Sequence, residues 1–364
     1  MRILGIETTC DETGVAIVED GRKIIANVVA SSVEIHEKYG GIVPEVAARE
    51  QIRSIIPALR ETLLKTIEVG DVKWEAGKRS GKLDKIDAIA VANGPGLVGS
   101  LLIGVETAKA LALAWNKPLV PVNHLIGHAY ANWLLPETRN QKLETRTPQF
   151  PLVALIVSGG HTDLILMNDH NQIKWLGGTL DDAAGEAFDK VARVLGLGYP
   201  GGPEIERVAS KTVNLKHETR NFKLPRPLIG SENFDFSFSG LKTAVVNLVH
   251  GSPFDFAQGR QLTVHFRDEI AYEFQKAIVD VLVTKTIRAA QKFKAREILL
   301  GGGVAANKLL RSQLTVHGSQ LGIPVRFPAI EFCIDNGAMI ASAAYFNFKP
   351  KPPENIQADP GLYF

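Results

Sequence analysis

The chain has 364 residues, 45% of them hydrophobic and 22% charged, with a formal net charge of +2. At about 150 residues per domain this is enough apolar material for two sizeable cores. Collagen-like, low-complexity and disordered classes are excluded, because Gly and Pro together make up about one residue in seven. The charge balance neither announces nor excludes a nucleic-acid partner.

Two cysteines, Cys10 and Cys333, stand at opposite ends of the chain and cannot build a disulfide framework, which fits a reducing, cytoplasmic home. No stretch approaches 18 uninterrupted apolar residues, and the opening apolar run soon reaches Glu7, so neither a spanning helix nor a signal peptide is expected, and no membrane partner.

In chain order, residues 3–6 and 15–18 are apolar runs around a polar, small-residue turn at 7–14, the pattern of a hairpin with a long polar tip. Residues 86–91 read as a buried strand. Ser100 is positioned to cap a helix in which Leu101, Leu102, Val105, Ala108, Ala112 and Trp115 keep the 3.6 period. A short strand at 119–122 follows. Residues 153–167 repeat the opening device, with apolar runs on either side of a turn at 158–163, which suggests a duplicated architecture. A third strand-to-turn junction comes at 297–303 and leads into a helix. The alternation argues for an α/β fold with largely parallel sheets. Residues 70–85 and 250–260 read as inserted loops. Lys73, Lys78, Arg79, Lys82 and Lys85 in the first are either solvated surface or a nucleic-acid contact.

Four constellations could carry chemistry. His124 and His128 are four residues apart, so on a helix about 100° per residue brings both imidazoles to one face, where they could share a cation or simply be two unrelated histidines. A carboxylate would have to complete such a site, and Asp335 is the candidate. The glycine-rich junctions at 158–160, 201–202 and 301–303, read as following strands, are ordinary tight turns or places where the backbone approaches a phosphate. Glu186, Asp189 and Lys190 share a helix face, either as an ion-pair surface or as carboxylates that accept ribose hydroxyls. Asp11 and Glu12 at the first hairpin tip are either turn residues or groups that orient or deprotonate a nucleophile. The two cysteines read as packing residues.

Eight blocks together resemble the TsaD family of tRNA N6-adenosine threonylcarbamoyltransferases: residues 5–13 (GIETTCDET), 123–129 (NHLIGHA), 157–162 (VSGGHT), 185–190 (GEAFDK), 198–203 (GYPGGP), 236–243 (FSFSGLKT), 301–307 (GGGVAAN) and 335–339 (DNGAM). They stand in the family's order over nearly the whole chain. The resemblance implies a two-lobed actin/sugar-kinase/heat-shock-protein-like (ASKHA) α/β fold with duplicated mixed sheets and an interlobe cleft. The division expected from it is an N-terminal lobe at 1–125, a C-terminal lobe at 126–345 with an inserted helical region near 180–250, and a tail at 346–364.

The implied reaction moves a threonylcarbamoyl group from threonylcarbamoyl-AMP to N6 of adenosine 37 in tRNAs that read codons beginning with A. Residue by residue, His124, His128 and Asp335 match the metal ligands. Ile156, Val157, Ser158, Gly159, Gly160, Asp189, Gly202 and Asn307 match positions that hold the adenylate. Iron(II) is the resemblance's first choice of metal and zinc(II) the alternative. His161 after Ser-Gly-Gly is similar to bacterial members, and Ile156 stands where archaeal and eukaryotic ones carry a tyrosine that reaches the metal. Bacterial members work with a TsaB-like paralogue and a TsaE-like ATPase.

Adenine N6 is a poor nucleophile, so rate has to come from positioning and from stabilising charge on the carbonyl and leaving phosphate. Asp11 or Glu12 is the expected proton acceptor or orienting group. Two other readings compete: a nucleotide-binding scaffold of the same fold, and a metallopeptidase. The second lacks its base, because Leu125 follows His124 where a zincin has Glu.

Overall fold

The two polar-tipped hairpins are the centres of two sheets with one topology. In the computed structural model, which describes residues 1–68, 85–135, 147–212, 222–250 and 263–364, β1 (Arg2–Glu7) pairs antiparallel with β2 (Glu12–Glu19), and β2 with β3 (Lys23–Ser31). On the other side of β1, β4 (Ala88–Gly94) and β5 (Leu119–Asn123) run parallel, giving the order β3-β2-β1-β4-β5.

The second sheet contains β6 (Leu152–Val157), β7 (Thr162–Asp169), β8 (Gln172–Gly178), β9 (Glu297–Gly301) and β10 (Val325–Arg326). Its order β10-β9-β6-β7-β8 and its strand senses repeat the first sheet, with β6 standing where β1 stands. The expected duplication of mixed sheets is thus present. Strands β1, β4, β6 and β9 are buried along nearly their whole length because helices cover both faces, so they read as unbroken apolar runs rather than alternating ones.

Contacts divide the described chain into one unit of Met1–Pro148 with Pro328–Phe364 and another of Gln149–Phe327. The sequence reading set its divisions at 125 and 345. The chain returns to the first unit through α10 (Gly337–Phe346), which packs on β1, β2 and α4 (His124–Tyr130).

Glycines allow that return. A Cβ on Gly5 would lie 2.1 Å from the Gly337 carbonyl oxygen, and one on Gly337 would lie 2.6 Å from Gly5 O and Ala16 N, so backbone meets backbone with no room for any side chain. The segment after α10 stays with the first unit too, since Ile356 is buried and the Asp359 amide donates to Asn93 O at 2.7 Å.

α1 (Val33–Glu37), α2 (Pro44–Glu68) and α3 (Val98–Trp115) complete the first unit. By length and composition α3 could cross a membrane. Here, however, Leu101, Val105, Ala108 and Ala112 are buried, the helix packs on β4 and α2, and its exposed face carries the Glu106–Lys109 pair. Ser100 does not cap it. Leu97 holds the cap position, and Ser100 Oγ, buried, donates to Cys10 O at 3.3 Å.

The second unit adds α5 (Ala184–Val194), α6 (Gly201–Thr212), α7 (Ser239–His250), α8 (Val264–Lys292) and α9 (Lys308–Gln320). Gly201 and Gly202 therefore follow a helix and open another, instead of following a strand. Lys73, Lys78, Arg79 and Lys82, with most of both inserted loops, lie outside the described residues, while Lys85 is exposed.

Asp181 and Asp182 fasten the start of α7. Asp181 accepts from Ser237 Oγ and Ser239 Oγ, each at 2.6 Å, and from the Phe238 amide at 2.8 Å. Asp182 pairs with Lys190 at 2.7 Å and Lys242 at 2.8 Å. Burial alone would raise both carboxyls, but the hydroxyl and amide donors at Asp181 and the two ammonium groups at Asp182 outweigh it and hold both below the ordinary value.

A depressed carboxyl stabilises the fold above its unfolded value and loses that contribution as the pH falls. Because Asp181 is largely exposed, Asp181→Asn is expected to cost about 1 kcal/mol, or about 2–4 °C in Tm, at pH 7. The difference should vanish as the pH falls below about 4, the ordinary carboxylate range, a trend that thermal melts across pH would reveal.

Candidate metal centre

Three chain segments meet at the carboxyl ends of the parallel strands in the first unit, the usual place for a ligand in an open α/β sheet. β5 ends at Asn123, whose side-chain oxygen accepts from the amides of Leu125 and Ile126 and so starts α4 immediately, with His124 as its first residue. One turn later His128 projects from the same face, and the two rings lie edge to face with centroids 4.6 Å apart. Gly127 between them lets α4 approach α10, since a Cβ there would lie 2.8 Å from Ile340 Cδ1. Asn336 caps α10 through the Met339 amide at 2.9 Å, and the residue before it, Asp335, is presented to the imidazoles.

His128 Nε2 lies 3.1 Å and His124 Nε2 3.7 Å from Asp335 Oδ1. One ligand atom from each of the three residues falls within 4.8 Å of the others. Both His128 ring nitrogens are buried and neither has a hydrogen-bond partner among the described residues. Two buried imidazole nitrogens converging on a half-buried carboxylate oxygen, with one ring nitrogen of His128 left without a partner, form a donor set that suits a divalent cation. The pairing of the two histidines with Asp335 expected from the sequence is therefore found. Leu125, where a peptidase would need its base, is buried in the core.

Two residues behind the ligands had no assigned role in the sequence. Glu7, the last residue of β1, is fully buried. It accepts the Thr9 amide on Oε1 at 2.6 Å and faces His124 Nδ1 with Oε2 at 2.9 Å. That contact keeps the Nδ1 proton on the Glu7 side and turns Nε2 toward Asp335. Burial alone would lower the His124 pKa, but Glu7 and Asp335 reverse this and raise it to about 9. Thr9 Oγ1 lies 3.2 Å from His124 Nδ1 and donates to Asp335 Oδ2 at 3.5 Å. The only sequence signal for either residue was its place at the end of a strand that runs into the polar tip.

Asp11 and Glu12 are half-buried at that tip. Burial first, and then the charges of Asp11 and Asp335, push the Glu12 carboxyl well above its ordinary range. The Cys10 thiol is raised by burial and by the same acids, which suits a packing residue and not a nucleophile.

The residues expected to hold an adenylate are all in the second unit. The side chains of Ile156 and Val157 are buried in β6. Ser158, Gly159 and Gly160 form the turn into β7, closed by Ser158 N donating to His161 O at 2.8 Å. The Ser158 carbonyl accepts the Gly185 amide at 3.1 Å, at the start of α5. Asp189 Oδ1 accepts the Gly201 amide at 2.7 Å. Asn307 caps α9 through the Leu310 amide at 2.9 Å and donates to Gln275 Oε1 at 3.0 Å, so its side chain is committed within the protein. A Cβ added at Gly159, Gly160, Gly202 or Gly303 would meet nothing within 4 Å. At these four positions the main chain is open to a partner molecule.

Comparisons with known proteins identify the family. The family model described as tRNA N6-adenosine threonylcarbamoyltransferase, TsaD, matches residues 23–342. The chain is 48% identical over 359 residues to the tRNA N6-adenosine threonylcarbamoyltransferase of Dehalococcoides mccartyi, covering 99% of this chain and 97% of that protein. It is 49% identical to the protein of that name from Thermomicrobium roseum, over 95% and 92% of the two lengths. Among solved structures, HypF of T. kodakarensis superposes with a TM-score of 0.57 at 13% identity, over 95% of this chain and 47% of HypF. That is a likeness of fold alone, and it supports the ASKHA class. The family model covers most of the chain and the relatives match nearly all of it, and this chain belongs to the TsaD family of tRNA N6-adenosine threonylcarbamoyltransferases.

Proposed function

We propose that this protein transfers a threonylcarbamoyl group from threonylcarbamoyl-AMP to N6 of adenosine 37 in tRNAs that read codons beginning with A. The observation that carries the reading is the convergence of the buried His124 and His128 with the half-buried Asp335 in a chain whose match to the family covers residues 23–342. A divalent cation, iron(II) first and zinc(II) second, would be held by those three residues and would supply Lewis-acid polarisation of the substrate oxygens.

The protein's own groups do the rest. Glu7 fixes the His124 ring so that Nε2 is available as a ligand. Glu12, with Asp11 beside it, is the proton acceptor for adenine N6 or orients that amine, because a carboxyl raised out of its ordinary range takes up a proton more readily near neutral pH. Residues 156–160, with Asp189, Gly202 and Asn307, hold the adenylate chiefly through main-chain groups, since the side chains of Ile156, Val157 and Asn307 are already engaged. The reaction runs in the cytoplasm with a TsaB-like paralogue and a TsaE-like ATPase.

The test is transfer by the purified protein, with those two partners, from synthetic threonylcarbamoyl-AMP to an unmodified tRNA that reads a codon beginning with A. Nucleoside analysis is expected to show threonylcarbamoyladenosine at position 37, and a tRNA left unmodified by the metal-loaded protein overturns the reading. Gly160→Val probes the adenylate cradle separately. The turn is open at this position, so Tm should hold, while the added side chain raises KM for threonylcarbamoyl-AMP about tenfold or more, equivalent to about 1.4 kcal/mol.

A further inference from the structure

Gln51 lies on α2, buried between the exposed Ile52 and the half-buried Glu50. Its Nε2 donates to three successive alternate carbonyls of the first hairpin tip: Cys10 O at 2.7 Å, Glu12 O at 3.2 Å and Thr8 O at 3.3 Å. Three acceptors around one nitrogen fix the orientation of the amide, because a flipped side chain would set oxygen against three oxygens. Its Oε1 is buried without a hydrogen-bond partner among the described residues. A buried acceptor left bare is a cost the fold tolerates only where the rest of the group is needed.

What the amide grips is the stretch that flanks Thr9 on both sides and Asp11 on both sides. Thr9 is the residue that touches His124 and Asp335, and Asp11 and Glu12 are the tip carboxylates. Leu97 N, donating to Thr9 O at 2.8 Å, and Ser100 Oγ, donating to Cys10 O, hold the same stretch from the start of α3, and Ser32 Oγ donates to Asp11 O at 2.8 Å. Of these, only Gln51 ties several tip carbonyls together with one group.

We propose that Gln51 is a positioning residue for this reaction, setting the tip backbone so that Thr9 steadies the His124–Asp335 pair and the Asp11–Glu12 carboxylates face the substrate. This rests on the metal-centre reading above. A chain without the clasp would fold, but its tip would sample conformations in which the ligand set is incomplete.

Gln51→Met keeps the volume and removes the donor. Three readouts on the full-length protein test it: Zn(II) titration of the metal-free form, hydrogen exchange resolved along the chain, and transfer kinetics. The expected result is Zn(II) binding weakened about tenfold, as for other residues behind metal ligands, faster exchange at residues 8–12 with the strands of the same sheet unchanged, and a fall in kcat with KM for tRNA within about twofold. Unchanged Zn(II) affinity and kcat in folded Gln51→Met overturn the proposal. So does exchange that quickens evenly through α2 and the sheet, since that is mere loss of packing. If Gln51→Met fails to fold, Gln51→Asn, which keeps an amide but is one methylene too short to span the tip, takes the same measurements with the same expected results. Wild-type protein that binds no Zn(II) strikes the metal-centre reading itself, a result distinct from a wild type that binds and a variant that binds equally well.

Discussion

His128→Ala is expected to abolish stable metal binding and to lower threonylcarbamoyl transfer by about 10³-fold, corresponding to about 4 kcal/mol of lost transition-state stabilisation, while the metal-free fold survives. The argument for choosing this histidine is electrostatic. His128 Nε2 meets only the half-buried Asp335, at 3.1 Å, and its Nδ1 has no hydrogen-bond partner among the described residues, so truncating it removes a candidate ligand and leaves no fully buried charge behind. His124 is different. Its Nδ1 faces the fully buried Glu7 at 2.9 Å, and His124→Ala would leave that carboxylate with the Thr9 amide as its remaining donor in the site.

Breaking a buried pair from one side costs about 3–5 kcal/mol. The double variant His124→Ala/His128→Ala should therefore melt well below His128→Ala, although the two are equally inactive. Metal analysis, melting curves and the transfer assay separate the effects. A metal-free His128→Ala that keeps wild-type activity removes the cation from the reaction.

Glu7→Gln is expected to weaken metal binding or activity by about 10- to 100-fold, the range found when the group behind a ligating histidine is removed. Glu7 accepts two hydrogen bonds, one on each oxygen, from Thr9 N and His124 Nδ1. An amide of the same shape has only one oxygen, so one donor then faces an NH2 group. The imidazole also loses the charge that, against the opposing effect of burial, helps hold its pKa at about 9.

The sign of the pH dependence follows. A histidine whose folded pKa lies above its unfolded value near 6.5 contributes stability that is complete below about 6.5 and is lost as the pH rises through about 9. In the metal-free state, wild type should exceed Glu7→Gln in Tm at pH 6 and approach it by pH 10. A constant gap across that range would mean that the carboxylate acts by shape and not by charge.

Local signals carried a good part of this protein. The polar tips between apolar runs predicted both central hairpins, and the repetition of that device predicted a duplicated architecture, although the sheets are mixed and not largely parallel because each hairpin adds antiparallel strands to the parallel ones. The four-residue spacing of His124 and His128 predicted a shared face because α4 is short and regular. Asp335 was different. No periodicity connects it to His124, and it arrives because Gly5, Gly127 and Gly337 remove the side chains that would keep α10 away from β1 and α4. Taken one at a time, such glycines look like turn residues.

The same long-range contact groups residues 328–364 with the first unit, a pairing that no local pattern in the sequence encodes. Ser100 met every local rule for a cap, and the tertiary demand of the Cys10 carbonyl took it instead. Gln51 gave no signal of its own, and Glu7 only its place at a strand end, because a single buried polar residue acquires its role from what packs on it.

The seating of α10 against Gly5 and Ala16 also sets the order of events during synthesis. Glu7, His124 and His128 leave the ribosome early and can fold together on one sheet, yet their carboxylate partner lies on a segment made some two hundred residues later. An emerging chain therefore carries the two imidazoles before Asp335 has been made, and the three side chains converge only when α10 docks.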